Sequence, residues 1–537
     1  MLTQAARFNA TDYLVDRHVE AGDGARVAVR TDASSLTYAE LSAEIDRVVA
    51  GLRALGVRPE QRVLMCMTDG LELFSAILAA MRMGAVAVPV STMLRGTELA
   101  KLVVDSRAAV LLCSTEFGEV ARAAVTLADE AESDLADVVV TGEDTAGYPG
   151  DVRVLTWASL LDRGAASPAA PGFPTWDESP ALWLYTSGTT GTPKAAMHRH
   201  ADIRAVAETY GREVLGIRPE DVCYSVAKLF FAYGIGNSMF FPLSVGASAV
   251  LVPTRPSPDA VADTVARHGV TLFYGSPSVY GPLLASDLDG SAFGGVRLGV
   301  SAGEALPARM VHGMRERFSL EVLDGIGSTE ALHIYLSNRP GEVAPGTSGV
   351  PVPGYEVEIR DEAGGVVADG EVGTLYVRGD SMCTGYWCRT AVNRRVFEGE
   401  WMRTGDTYVR NADGTYTCLG RTDDVLKVGG IWVTPSEVEE RLVTHPSVAD
   451  VVVVGVPDAD GLDRTVACVV PRDGQIVDAE ALVAWCREGL ASFKRPRHVL
   501  SIDAIPRTAT GKVQRFVVRE LAASRLAAEQ PTPVEPV

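Results

Sequence analysis

The chain of 537 residues is 47% hydrophobic and 22% charged, too apolar to stay disordered and long enough to bury several cores. Its 49 Lys and Arg face 69 Asp and Glu, a formal charge of −20, which repels phosphate backbones and anionic bilayers and argues against a nucleic-acid or membrane-surface binder. A smaller polyanion stays admissible wherever cations and backbone amides are gathered locally.

The opening MLTQAARFNATDYL has no basic stretch leading into an apolar one, and no later run reaches the roughly 18 uncharged apolar residues of a membrane span. A cytoplasmic protein is expected. The cysteines at 66, 113, 223, 383, 388, 418, 468 and 486 form no CxxC pair, so they are taken as reduced structural thiols and not as zinc ligands or a disulfide framework. In chain order, LTYAELSAEIDRVVAGLRALG predicts an amphipathic helix; RVLMCM, AVAVPV and AAVLLCS predict buried strands; LELFSAILAAMRMG predicts a helix between the first two. Strand, helix, strand implies right-handed parallel crossovers. A Pro, Gly and Ala-rich loop at 165–174 punctuates the first half. Further on, GTLYVRG and TYTCLGR predict short antiparallel strands. After Arg421 the pattern restarts: helices at PSEVEERLVTH, AEALVAWCREGLA and VQRFVVRELAASRLA, strands at VADVVVVGV and TVACVVP, enough for a small α+β domain ending in a Pro-rich tail.

The segment Tyr185 to Lys194, YTSGTTGTPK, carries the most chemistry. Hydroxyls at Thr186, Ser187, Thr189, Thr190 and Thr192 alternate with Gly188 and Gly191. Glycines admit close approach of backbone amides to an anion, hydroxyls donate further hydrogen bonds, and Lys194 adds charge, so the string suits phosphates. No Gly-Lys-Ser/Thr closes it, which separates it from the Walker loop, and a polar turn does not need five hydroxyls in seven positions.

This string resembles the phosphate-binding signature of adenylate-forming enzymes, the superfamily of acyl-CoA synthetases, peptide-synthetase adenylation domains and firefly luciferases. Further landmarks follow in that family's order: SAGEALP at 301–307, DGIGSTE at 324–330, RTGD at 403–406, GRTDDVLKVGG at 420–430 and PRTATGKVQR at 506–515. KLFFAYGIGN and GIGSTEALHIYLSN are most similar to the benzoate-CoA ligase group. The resemblance implies a large N-terminal α/β domain over 1–422, with parallel sheets and an antiparallel part, and a small mobile α+β domain over 423–537 that turns about Asp423.

Site roles follow residue by residue. For ATP and AMP the resemblance implies the loop residues Thr186, Ser187, Gly188, Thr189, Thr190, Gly191 and Lys194. To these it adds Ser301, Ala302, Gly303 and Glu304, then Asp324, Gly325, Ile326 and Gly327 beside the adenine. Thr329 and Glu330 supply hard oxygen donors suited to Mg²⁺ beside a triphosphate, with Glu330 on the metal side; alone, such a pair would read as a helix start. Asp406 is expected on the ribose hydroxyls, with Arg421 nearby. Lys512 is expected to reach the carboxylate and the α-phosphate, where charge builds as pyrophosphate leaves. Thr329, Glu330 and Lys512 form the implied catalytic set. Gly429, Gly430 and Trp432 fall on the CoA side, where Gly429 replaces a frequent Ser and Trp432 a frequent polar residue; Ala195 replaces the usual Gly after Pro-Lys. For the acid, Ala227, Phe231, Tyr233, Gly234, Gly327, His333 and Ile334 fall in segments that line a flat aromatic slot in similar enzymes, with Lys228 beside them. Aromatics there would otherwise be core residues.

The implied activity is ATP-dependent ligation of benzoate, or a hydroxy- or aminobenzoate, to CoA through an acyl-AMP, with ATP, Mg²⁺ and CoA required. A monomer or homodimer is expected. Two rivals share the scaffold: a stand-alone adenylation enzyme loading a carrier-protein phosphopantetheine, and a non-catalytic acyl- or nucleotide-binding regulator, which would be expected to have lost Lys512, Glu330 or the hydroxyl loop. From Ala491 to Arg515, Lys494, Arg495, Arg497, Arg507, Lys512 and Arg515 face Asp503 alone, a local basic surplus where phosphates are expected.

Overall fold

Alternation of buried β-rich runs with amphipathic helices builds the first half of the chain. In the computed structural model, which describes residues 7–149, 151–165, 172–187, 193–254, 256–421, 426–428, 431–433, 435–457, 463–490, 494–507 and 513–529, the first long helix runs Tyr38–Ala54. It starts where Thr37 and Glu40 bond reciprocally: the Glu40 amide donates to Thr37 Oγ1 at 3.2 Å and the Thr37 amide to Glu40 Oε2 at 2.8 Å. Leu41, Ile45, Val48, Val49 and Leu52 recur at helical spacing and are buried. Among the described residues no helix is long and apolar enough to cross a membrane.

The chain divides into two units, Met1–Val357 with Val377–Arg403, and Glu358–Tyr376 with Thr404–Val537. In the first, a seven-stranded sheet runs in the order Arg153–Thr156, Asp137–Val140, Ala108–Cys113, Arg62–Cys66, Val86–Pro89, Pro180–Ser187, Pro193–Arg199. All its pairs are parallel except the last, where Thr186 stands opposite Lys194 and Ser187 opposite Pro193. The helix Leu71–Arg82 connects the strands Arg62–Cys66 and Val86–Pro89 and is buried along ten of its positions, from Leu73 to Arg82, as a crossover helix covering a parallel sheet must be.

A nine-stranded sheet in the same unit runs Val350–Pro351, Ile334–Ser337, Val322–Gly327, Leu298–Ser301, Leu272–Gly275, Val222–Ser225, Ser248–Val250, Val27–Arg30, Ser35–Thr37. Its central strands are parallel, and Val322–Gly327 turns back as an antiparallel hairpin into Ile334–Ser337, with Gly325 opposite Ser337 and Gly327 opposite Ile334. The six residues joining those strands include Thr329, Glu330 and His333.

In the second unit, Asp406–Arg410 pairs antiparallel with Tyr416–Arg421, setting Asp406 opposite Arg421. Near the C-terminus, Asp463–Pro471 lies between Val448–Pro457, antiparallel, and His498–Ser501, parallel. The valine run alternates faces at period two. Val451 and Val453 pack with Val438, Leu442, Leu482 and Cys486, while Val452, Val454 and Val456 pack with Leu500, Ile502, Val518 and Ala522. Helices cover both faces, which explains a strand apolar at every position. Three of the six cations along 491–515 have carboxylate partners: Lys494 Nζ donates to Glu437 at 2.6 Å, Arg507 to Asp450 at 2.8 Å and Arg515 to Glu439 at 2.6 Å. The expected 422/423 boundary falls outside the described residues.

Candidate active site

The phosphate-loop sequence connects two antiparallel strands. Ser187 ends the first and Pro193 begins the second, with Thr186 paired to Lys194; Gly188, Thr189, Thr190, Gly191 and Thr192 between them, and the side chain of Ser187, lie outside the described residues. Both stems of the loop are anchored. Tyr185 Oη donates to Asp105 Oδ2 at 2.8 Å, and Arg389 Nη2 donates to Asp105 Oδ1 at 2.6 Å. On the second stem the Trp387 amide donates to the Ala195 carbonyl at 3.0 Å, and Ala196 bridges Tyr386. The Lys194 ammonium lies 4.6 Å from the Tyr386 ring centroid, within cation–π range.

The Thr329–Glu330 turn is held at three successive carbonyls. His198 Nε2 donates to the Thr329 carbonyl at 2.8 Å, the Cys383 amide to the Glu330 carbonyl at 2.8 Å, and Ser381 Oγ to the Ala331 carbonyl at 2.7 Å. His198 is itself buried, with Nδ1 3.1 Å from Asp202 Oδ2. Glu330 Oε1 accepts a hydrogen bond from Tyr386 Oη at 2.5 Å. Sequence reasoning missed His198, Ser381, Cys383 and Tyr386; the last three lie in the string SMCTGYW, which has no chemistry of its own until the fold brings it to the turn.

Ser301 ends one parallel strand directly opposite Asp324 on the next. Ser301 Oγ and Asp324 Oδ1 are both buried without a hydrogen-bond partner among the described residues, while Asp324 Oδ2 accepts from the Leu306 amide at 3.3 Å. Two orphaned polar atoms side by side are costly unless a ligand or water meets them. Ala302 is buried and Gly303 and Glu304 are exposed; Gly325 is buried, and Ile326 and Gly327 are half-buried. Burial pushes the Asp324 carboxyl up to about 8. An unfolded Asp ionises near 3.8 while the folded one keeps its proton, so this residue lowers stability progressively from about pH 4 to pH 8 and by a constant amount above. Asp324→Asn is expected to raise the thermal midpoint of the ligand-free protein more at pH 8 than at pH 5. An equal effect at both pH values would contradict a buried neutral acid.

His333 lies at the centre of an aromatic group. Its ring is 4.5 Å from Phe241, edge-on, 5.3 Å from Tyr210 and 5.5 Å from Tyr233. Nε2–H donates to Asn237 Oδ1 at 3.1 Å, and Nδ1 is a buried acceptor without a partner among the described residues. Burial lowers its pKa to about 3, so the imidazole is neutral throughout the physiological range. Two glycines make room: a Cβ at Gly236 would fall 2.4 Å from His333 Cδ2, and one at Gly327 would fall 2.4 Å from the His333 carbonyl oxygen. Tyr233 Oη lies 3.0 Å from the Val300 carbonyl and 3.1 Å from that of Gly275. Gly234 abuts the Ala227 and Lys228 carbonyls, Phe231 stacks obliquely on Phe230 at 4.5 Å, and Ile334 is buried on the hairpin. Lys228 Nζ donates to the Val252 and Thr254 carbonyls, so that ammonium is held by backbone oxygens.

In the second unit, Arg421 Nη1 donates to Asp406 Oδ1 at 2.8 Å and to the Thr404 carbonyl at 3.1 Å, while the Asp406 amide donates to Thr404 Oγ1 at 3.0 Å. Asp423, Gly429, Gly430 and Lys512, and the side chain of Trp432, lie outside the described residues. Among the described residues no group of three or more His, Cys, Asp or Glu converges to hold a metal ion. A single half-buried carboxylate, Glu330, bonded to the tyrosine whose ring faces Lys194, fits the way Mg²⁺ binds: one or two protein carboxylates, waters, and the oxygens of a substrate phosphate.

An AMP-binding enzyme domain matches residues 15–387, and an AMP-binding enzyme C-terminal domain matches 437–512. The benzoate–CoA ligase of Thauera aromatica is 41% identical over 96% of each chain. A solved benzoate CoA ligase from Burkholderia xenovorans LB400 superposes with a TM-score of 0.84 at 41% identity, covering 95% of this chain and 100% of that one. An anthranilate CoA ligase solved in complex with anthranoyl-AMP superposes with a TM-score of 0.87 at 35% identity, covering 97% and 98%. With the phosphate-loop stems, the clamped Thr329–Glu330 turn and the aromatic group around His333 all present, the chain belongs to the AMP-binding enzyme family.

Proposed function

We propose that this protein is an AMP-forming aryl-CoA ligase whose acid is benzoate or a hydroxy- or aminobenzoate. The observation that carries the reading is the hairpin connection between Gly327 and Ile334: it bears the carboxylate of Glu330 and, three residues on, a neutral imidazole walled by Tyr210, Tyr233 and Phe241. Flat aromatic walls and an uncharged interior suit a benzene ring and disfavour a second charge on the substrate. The benzoate and anthranilate substrates named for the relatives support the same choice.

A carboxylate oxygen of the acid attacks the α-phosphorus of ATP and pyrophosphate leaves, giving an acyl-AMP. The CoA thiol then attacks the acyl carbon, losing its proton, and AMP departs. Lys194 and the loop hydroxyls bind the phosphates, Asp324 borders the adenine, Asp406 takes the ribose hydroxyls with Arg421 beside it, and Lys512 stabilises charge at the α-phosphate. When bound beside Glu330 and Thr329, Mg²⁺ neutralises the phosphate oxygens. The residues before Asp423 act as the adenylating domain and those after it as a mobile domain that brings Gly429, Gly430 and Trp432 toward CoA. The eight cysteines are free thiols, in keeping with action in the reducing cytoplasm.

A panel of benzoate, hydroxybenzoates, aminobenzoates and short aliphatic acids, scored for AMP release with CoA, tests this reading. Benzoate or one ring-substituted benzoate is expected to exceed propionate in kcat/KM by at least about a hundredfold, because the aliphatic acid leaves the aromatic walls unfilled. Preference for the aliphatic acids would overturn the pocket assignment, and adenylation without CoA-dependent AMP release would overturn the acceptor.

A further inference from the structure

Tyr386 is the one side chain described above that meets both the cation of the phosphate-loop stem and the carboxylate of the turn. Its hydroxyl donates to Glu330 Oε1 at 2.5 Å and its ring faces the Lys194 ammonium at 4.6 Å. The residue is 3% exposed, and its backbone is fixed on three sides: Tyr386 bridges Ala196 on the strand that carries Lys194, its amide donates to Asn393 Oδ1 at 2.8 Å, and its carbonyl accepts from Asn393 Nδ2 at 2.9 Å. The phenol therefore has little freedom to follow either partner; the partners orient to it. A hydrogen bond to a carboxylate is about twice as strong as one between neutral groups and directional, so the hydroxyl fixes one Glu330 oxygen and presents the other. The ring attracts the ammonium through its face, 4.6 Å from the centroid. Lys194 and Glu330 are opposite charges that both meet Tyr386, and a direct pair between them would withdraw the cation from phosphate and the carboxylate from metal. An aromatic ring carrying a hydroxyl holds each at its own end.

We infer that Tyr386 is a positioning residue of the adenylation step, spacing Lys194 from Glu330 so that the metal and the phosphates of ATP meet both at once. The inference rests on the aryl-CoA ligase reading for the reaction itself, but it concerns how this chain binds metal-complexed ATP, which can be measured without turnover.

The full-length wild type, Tyr386→Phe and Tyr386→Leu are titrated with ATP by calorimetry, once with Mg²⁺ and once with EDTA, alongside acid-dependent ATP–pyrophosphate exchange and thermal melts. Tyr386→Phe keeps the ring and loses the hydroxyl. It is expected to leave the melting midpoint and the EDTA affinity unchanged, and to lose about tenfold of the Mg²⁺-dependent gain in ATP affinity, with a similar or larger fall in exchange kcat. Tyr386→Leu is expected to weaken ATP binding in EDTA as well, because Lys194 loses its ring. A purely structural tyrosine would lower the melting midpoint and leave the Mg²⁺-dependent gain intact, and that result overturns the inference. In a Glu330→Gln background the Tyr386→Phe effect on the Mg²⁺-dependent gain is expected to vanish; additive losses would equally overturn it. If wild type shows no acid-dependent exchange, the ligase reading fails, while the binding titrations still decide the role of Tyr386.

Discussion

Lys512→Ala is expected to lose acid-dependent ATP–pyrophosphate exchange by at least about a hundredfold, the size of effect seen when one electrostatic stabiliser of a transition state is removed. Release of AMP from pre-formed benzoyl-AMP and CoA in the same variant is expected to stay within a few-fold of wild type. The two half-reactions separate because negative charge grows on the phosphorus oxygens only while pyrophosphate departs. In the second step the anhydride is already made, and the thiol attacks a carbon. Exchange at the wild-type rate would remove Lys512 from the catalytic set, and parallel loss of both half-reactions would make it a residue of general architecture.

Gly327→Ala is expected to damage adenylation nearly as severely for a different reason. The new Cβ would lie 2.4 Å from the His333 carbonyl oxygen and 2.8 Å from Ile334 Cα. Both are backbone atoms on the paired strand side of the hairpin, so the connection itself must move. Such overpacking costs about 1–3 kcal/mol of stability. A displacement of about 1 Å at Thr329 and Glu330 is expected to lower exchange kcat by about a hundredfold. A melt and an exchange assay on the same preparation check it. Wild-type exchange with a lowered melting midpoint would show that the turn tolerates the shift.

Much of the fold was legible because periodicity and burial agree. The strands 62–67, 85–90 and 108–114 and the helices 36–56 and 71–84 form within a few residues of those spans. The C-terminal valine run forms as a strand, its every-position apolarity explained by helices on both faces. Pairings between distant segments were not legible. Val27–Arg30 joins Ser248–Val250 as a parallel neighbour across more than two hundred residues, and nothing in VAVR names its partner. Charge counted along the chain also leaves out partners brought in by the fold: of the six cations over 491–515, Lys494, Arg507 and Arg515 bond to Glu437, Asp450 and Glu439, which precede them.

At the site, motifs singled out the residues proposed to meet a ligand but not those that hold them. Asp324, Thr329, Glu330 and His333 stand out as oxygen or nitrogen donors in a recognisable string. His198, Ser381, Cys383 and Tyr386 act through hydrogen bonds to backbone carbonyls or to another side chain, and such contacts place almost no constraint on local composition. Lys228 shows the converse: a lysine beside an aromatic segment invites a substrate role, yet its ammonium is bonded to two carbonyls.

The hairpin Val322–Ser337 has a consequence for altering which acid the enzyme accepts. Six residues between its strands carry both the carboxylate bonded to Tyr386 and the imidazole among the aromatic walls. With the proposed roles of His333 and Glu330, selection for a new substrate acting on His333 is expected to alter reaction rate as well, since a shift of its backbone is passed to Glu330 through three intervening peptide bonds. Specificity and speed are inherited together, and grafting the hairpin whole, with the 381–386 string that clamps it, should transplant them more cleanly than single substitutions.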